Sequence, residues 1–159
     1  MVLELLNIGY TEIVPRAIWV PASYNTIQNT NASGVVQVVS TVIPYNQISI
    51  LVEGTYFLSA TVCMLNNASN SQRNVSIQLN RGGSSSWQNI ATMSLTNTAS
   101  DLGGMKSNLA SIAYRLFPSD QVRVLYYHTN NLAEISMSGQ NIIATGRHYP
   151  RFSISRIAI

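Results

Sequence analysis

From residue 35 onward the chain is a succession of short runs rich in β-branched and aromatic residues, each broken by a cluster of Asn, Ser, Gly or Pro. That spacing suits strands and turns and carries no apolar stripe of helical period. Alternation is cleanest in Asn74 to Asn80, where Val75, Ile77 and Leu79 share one face and Ser76 and Gln78 the other. Arg81-Gly82-Gly83-Ser84 follows as a hairpin turn. Further strands are predicted at Val35 to Ile43, Gln47 to Val52, Tyr56 to Leu65, Trp87 to Leu95, Leu109 to Phe117, Val122 to Tyr127, Leu132 to Met137 and Phe152 to Ile159. A set of this size fills two packed antiparallel sheets. The last run reaches the final residue, so it is expected to be woven into a sheet.

Val35 to Ile43, Tyr56 to Leu65 and Val122 to Tyr127 carry apolar or aromatic residues on both faces, unlike a strand with one wetted side. Something must cover the second face. In Tyr56 to Leu65 the set Tyr56, Leu58, Ala60, Val62 and Met64 reads as core. Phe57, Ser59, Thr61, Cys63 and Leu65 form the opposite set, a surface able to meet a neighbouring subunit. At 159 residues the chain is long enough to bury a core without a staple. Its lone cysteine, Cys63, lies inside an apolar run and is read as a small buried hydrophobe.

Residues 1–34 differ from the body at 35–159. Pro15 and Pro21 interrupt regular structure, and Ile13, Val14, Ile18 and Trp19 lie scattered between them. The segment is read as an extended N-terminal arm. It either packs on its own domain as an extra edge strand or lies across a partner, with Ile13, Val14, Ile18 and Trp19 making the contacts. Its start lacks the basic opening, sustained apolar stretch and cleavage site of a secretory signal, and no stretch is long enough to cross a bilayer. The sequons at Asn31, Asn67 and Asn74 are accordingly read as chance in an Asn/Ser-rich chain.

Chemistry-bearing residues are sparse. Only 9% of residues are charged, and the net charge of +3 comes from scattered arginines and Lys106, with no basic run to track a phosphate backbone. The two histidines, His128 and His148, have no partner at metal-ligand spacing, and the six acids are dispersed. No nucleophile elbow or phosphate loop occurs. The expectation is a protein with no catalytic site, cofactor or metal, and with neither nucleic acid nor membrane as partner. Tyr114, Tyr126, Tyr127 and Tyr149 suit either a subunit interface or a sugar-binding surface, and the 101–106 loop is the longest irregular stretch of the body.

Val52-Glu53-Gly54-Thr55-Tyr56-Phe57-Leu58-Ser59 resembles the Gly-x-Tyr-Tyr/Phe-Phe-Ser stretch of the tumour-necrosis-factor and complement globular-head superfamily. Leu116 to Val122 is similar to the family's Leu-x-x-Gly-Asp-x-Val turn, with Ser119 in place of the glycine. Phe152 to Ile157 is similar to its closing strand, with Ser155 at a small or apolar position. The resemblance spans residues 35–159 and implies an all-β, antiparallel jelly-roll β-sandwich of about 8–10 strands that packs as a homotrimer. Tyr56, Phe57, Tyr114, Tyr126 and Tyr127 are the expected trimer-interface residues. Such modules also occur in phage and viral particles. The expected function is therefore that of a virion structural protein, a trimeric capsid decoration or cement protein whose arm holds it to the major capsid protein on the capsid surface. The alternative is a fibre or spike head that binds a host glycan or protein receptor.

Overall fold

Side-chain alternation decides which way each strand faces, and the longest strands show it best. The computed structural model describes residues 2–6, 11–15, 17–30, 34–40, 43–65, 72–96, 105–129, 134–138 and 150–158. Its strands are β1 (Val2–Leu6), β2 (Thr11–Pro15), β3 (Val20–Pro21), β4 (Thr26–Thr30), β5 (Val36–Val38), β6 (Gln47–Ile50), β7 (Gly54–Leu65), β8 (Gln72–Asn80), β9 (Gln88–Thr96), β10 (Met105–Leu116), β11 (Gln121–His128), β12 (Glu134–Ser138) and β13 (Arg151–Ala158). In β7, Tyr56, Leu58, Ala60 and Val62 are buried while Phe57 is 42% exposed, as their two parities predict. The side chains of Cys63, Met64 and Leu65 lie outside the described residues, so the reading of Cys63 does too.

The first sheet has the order β2-β12-β7-β13-β1-β4, with β10 also paired to β7; the second has the order β5-β6-β11-β8-β9, with β3 also paired to β11. All of these pairings are antiparallel. The sheets stack as a jelly-roll sandwich. Leu3, Leu5, Leu58, Phe152 and Ile154 from the first meet Ile48, Ile77, Leu79, Val122 and Val124 from the second in one core. Burying each such side chain contributes roughly 1.5–3 kcal/mol. The predicted hairpin at Arg81 is instead a longer connection built on a 3-10 turn, Arg81–Gly83, in which Gly82 and Gly83 take φ of 56° and 72°. Both need the left-handed region that a missing Cβ permits.

The division at residue 34 does not separate an arm from a body. β1 sits between β13 and β4, with Leu3 opposite both Ile154 and Asn29, and Leu3, Leu5 and Leu6 are buried. Ala22 and Tyr24 also enter the core. The reason is visible in Val2-Leu3-Glu4-Leu5, a short alternation of its own that the two prolines downstream obscured. Pro15 and Pro21 fall at strand ends, where a missing N–H costs least.

Candidate functional site

Strand register sets out the outer face of the first sheet row by row. Ala113 of β10, Phe57 of β7, Ser155 of β13 and Val2 of β1 form one row, and Ser111, Ser59, Ser153 and Glu4 form the next. Around Phe57 the face is thus paved with Ser and Ala, whose short side chains let a second protein surface come close to the sheet. Leu109 and Ile157 are also exposed on this sheet, at 49% and 58%. Charge flanks these rows on both sides: Arg151 lies 3.8 Å from Glu4, and Arg115, opposite Thr55, lies 2.7 Å from Glu53.

The five residues expected at a trimer interface do not form one patch. Only Phe57 stands on this face. Tyr56 and Tyr126 are fully buried in the protomer's own core and have no surface to give a partner. Their parity points between the sheets, and each hydroxyl has a bond there. Tyr56 Oη donates to the Val52 carbonyl at 2.5 Å, and the Tyr126 and Tyr24 hydroxyls lie 3.1 Å apart. Burial raises the Tyr56 phenol above its ordinary pKa, and the nearby Arg156 cation offsets part of that rise. Tyr114 is half-buried at the sandwich flank, and Tyr127 lies on the outer face of the second sheet.

Nor do the four arm residues make a free contact surface. The Ala17 N–H donates to the His128 carbonyl at 2.8 Å, and Trp19 stacks on Tyr127 with ring centroids 5.1 Å apart. Part of the second apolar face of β11 is therefore covered by the chain's own residues 17–21. Ile18 is exposed; Ile13 and Val14 belong to β2, which pairs with β12, and their side chains lie outside the described residues. Tyr149 and residues 101–104 lie outside them as well.

One end of the sandwich is closed by charge. Buried Asp120 accepts from Arg81 Nη1 at 2.5 Å, from the Phe117 N–H at 2.9 Å and from the Gly82 N–H at 3.2 Å. The Arg81 guanidinium also lies 5.4 and 5.2 Å from the Tyr114 and Phe117 ring centres. Ser119 takes a φ of 72°, the conformation its glycine-like place in the turn demands. Beside it Arg115 pairs with Glu53 at 2.7 Å, and Arg156 Nη2 donates to the Glu53 carbonyl at 2.5 Å. Gly54 is needed for close approach and not for an unusual backbone angle: a Cβ there would stand 2.5 Å from Arg156 Nε and 2.7 Å from the Ala158 carbonyl.

Sequence reasoning passed over Trp87, Arg123, Gln78 and Asn89, which share the outer face of the second sheet. The signal available was alternation: Arg123, Leu125 and Tyr127 are the outward parity of a strand whose other parity is core. Arg123 lies 3.9 Å from the Trp87 ring centre, and partial burial lowers its pKa below the ordinary arginine value while leaving it a cation. No group of three or more His, Cys, Asp or Glu able to hold a metal occurs among the described residues.

No protein-family model and no curated protein sequence matches the chain. Solved structures do match. The Eiger TNF of S. frugiperda superposes with a TM-score of 0.63 at 9% identity, covering 99% of this chain and 92% of that one. Murine APRIL at pH 5.0 gives 0.61 at 11% identity, and at pH 8.0 gives 0.60 at 12% identity, each covering 98% of both chains. At such identities the likeness concerns architecture, and with two antiparallel sheets in the order found here it establishes that the chain has a tumour-necrosis-factor-like jelly-roll fold.

Proposed function

We propose that the protein is a non-enzymatic structural module that assembles as a homotrimer through the outer face of its first sheet and is displayed as a head on a particle such as a virion. The observation that carries this reading is the Ser- and Ala-paved face with Phe57 at its centre. Small side chains allow dense packing of sheet against subunit, and an aromatic ring supplies the buried anchor such contacts concentrate on. The shared fold with TNF-like proteins supports it. The head is favoured over a capsid-decorating protein held by its arm, because β1, β3 and β4 are committed to the chain's own sheets.

Light scattering coupled to size exclusion tests the assembly. The wild-type chain is expected at about three times the protomer mass. Phe57→Glu, at an exposed position, is expected to give a folded monomer with an unchanged circular dichroism spectrum. A wild-type monomer at micromolar concentration, or a Phe57→Glu protein that remains trimeric, overturns the reading.

A further inference from the structure

The outer face of the second sheet is chemically different, with Leu125 and Ser76 at its middle buried and the rungs on either side of them partly exposed. Across β11, β8 and β9 its outward positions form rungs: Arg123, Gln78 and Asn89; then Leu125, Ser76 and Thr92; then Tyr127, Asn74 and Ser94. Neighbours on each rung are tied together. Arg123 Nε donates to Gln78 Oε1 at 2.9 Å, and Gln78 Nε2 donates to Asn89 Oδ1 at 2.8 Å. The Ser76 and Thr92 hydroxyls are 3.0 Å apart, and Ser94 Oγ donates to Asn74 Oδ1 at 2.6 Å. These bonds hold the amides in fixed orientations, yet the Nδ2 groups of Asn74 and Asn89 and the Arg123 guanidinium tip keep donors to offer.

A cation–π pair and a stacked aromatic pair bound this ladder. At one end Trp87 lies against Arg123, 3.9 Å from the ring centre, and at the other Trp19 stacks on Tyr127 with their planes 30° apart. Arg123 and Tyr127 stand on one face of β11, so the pairs are about 13 Å apart along the strand. Among the described residues this face carries no carboxylate, and Arg123 is its one cation.

We propose that this face is a binding platform for an uncharged oligosaccharide, with sugar rings laid on the Trp19–Tyr127 and Trp87–Arg123 pairs and hydroxyl groups met by Asn74, Gln78, Asn89 and Ser94. A pyranose presents C–H faces that pack on aromatic rings and a rim of hydroxyls that both donate and accept, and carboxamides supply both functions at one site. A phosphate-rich polymer needs a row of cations that is absent here. A protein partner of ordinary size needs an apolar centre, and the central apolar side chain, Leu125, is itself buried. The platform lies within one protomer and on the sheet opposite Phe57, so it does not depend on the trimer.

The test is an array of neutral oligosaccharides ending in glucose, galactose, mannose or N-acetylhexosamine, printed beside sialylated and sulfated counterparts and probed with the full chain. Titration calorimetry with the best neutral sugar follows. Binding to a neutral sugar is expected, weakened about tenfold or more in Trp87→Ala and in Asn89→Ala. Trp87→Phe is expected to retain most of it. Asn89 is exposed, so its loss of binding is read on a folded protein. No binding to any neutral sugar, binding to charged glycans alone, or titrations unchanged in both Ala variants overturns the proposal. Phe57→Glu separates the two proposals: a monomer that still binds sugar leaves the platform standing.

Discussion

The hydroxyl of Tyr24 lies 3.1 Å from that of Tyr126, and both rings are buried. A buried hydroxyl has to find a partner, because an unmet one there loses its water without recompense. Tyr24→Phe and Tyr126→Phe are each expected to lower the unfolding free energy by roughly 1 kcal/mol, and the double variant by less than the sum. Urea denaturation of the four proteins of the cycle measures this; strict additivity would mean the pair contributes nothing as a pair.

The same contact bears on the N-terminal segment. Removing residues 1–30 takes Leu3, Leu5, Leu6, Ala22 and Tyr24 from the core and leaves β13 without its β1 partner. The truncated chain is expected to be insoluble or to melt without cooperativity. A soluble truncated protein with a sharp thermal transition would show that the segment is dispensable.

At the 117–120 turn two substitutions should move stability in opposite directions. Ser119→Gly relieves a left-handed backbone conformation and is expected to raise stability by up to about 1 kcal/mol, the strain relief being partly offset by the glycine's extra freedom when unfolded. Asp120→Ala deprives Arg81 and two backbone N–H groups of their acceptor, with an expected loss of roughly 2–3 kcal/mol. Thermal melts of both variants check the signs.

Tyr56 gives an alkaline dependence. Because its folded pKa is raised, the folded protein holds the phenolic proton more tightly than the unfolded chain does. Its contribution is fully present below about pH 10, the ordinary tyrosine value, and declines as pH climbs through the raised folded value. Denaturation midpoints between about pH 8 and pH 11 should therefore fall more steeply for the wild type than for Tyr56→Phe, which cannot ionise at this position.

Much of the architecture was legible because alternation is a local signal. Val75, Ile77 and Leu79 point inward as their spacing says, and the two parities of β7 divide core from surface residue by residue. What alternation cannot say is which sheet a strand joins. By sequence the apolar second face of β11 reads as a surface for a neighbouring subunit, whereas Trp19, more than a hundred positions earlier, lies over its Tyr127. Tyr56 and Tyr126 suit a subunit interface by sequence and are buried in the core for a related reason. An aromatic ring with a polar tip suits an interface and a core alike, and only the location of a partner oxygen, Val52 O or Tyr24 Oη, decides between them. Trp87 escaped notice because its partner, Arg123, lies on a strand that is not its sequence neighbour.

The place of β1 between β13 and β4 has a kinetic consequence. During synthesis β1 cannot pair with β13 until every element between them has been made. Val2 must wait for Ser155. Contacts of such long sequence separation close slowly, and until they do the buried leucines of β1 stay open to solvent and to other chains. A nascent chain of this protein is therefore at its most adhesive until β13 has been made, and the yield of soluble protein should depend on what shields β1 in the interval.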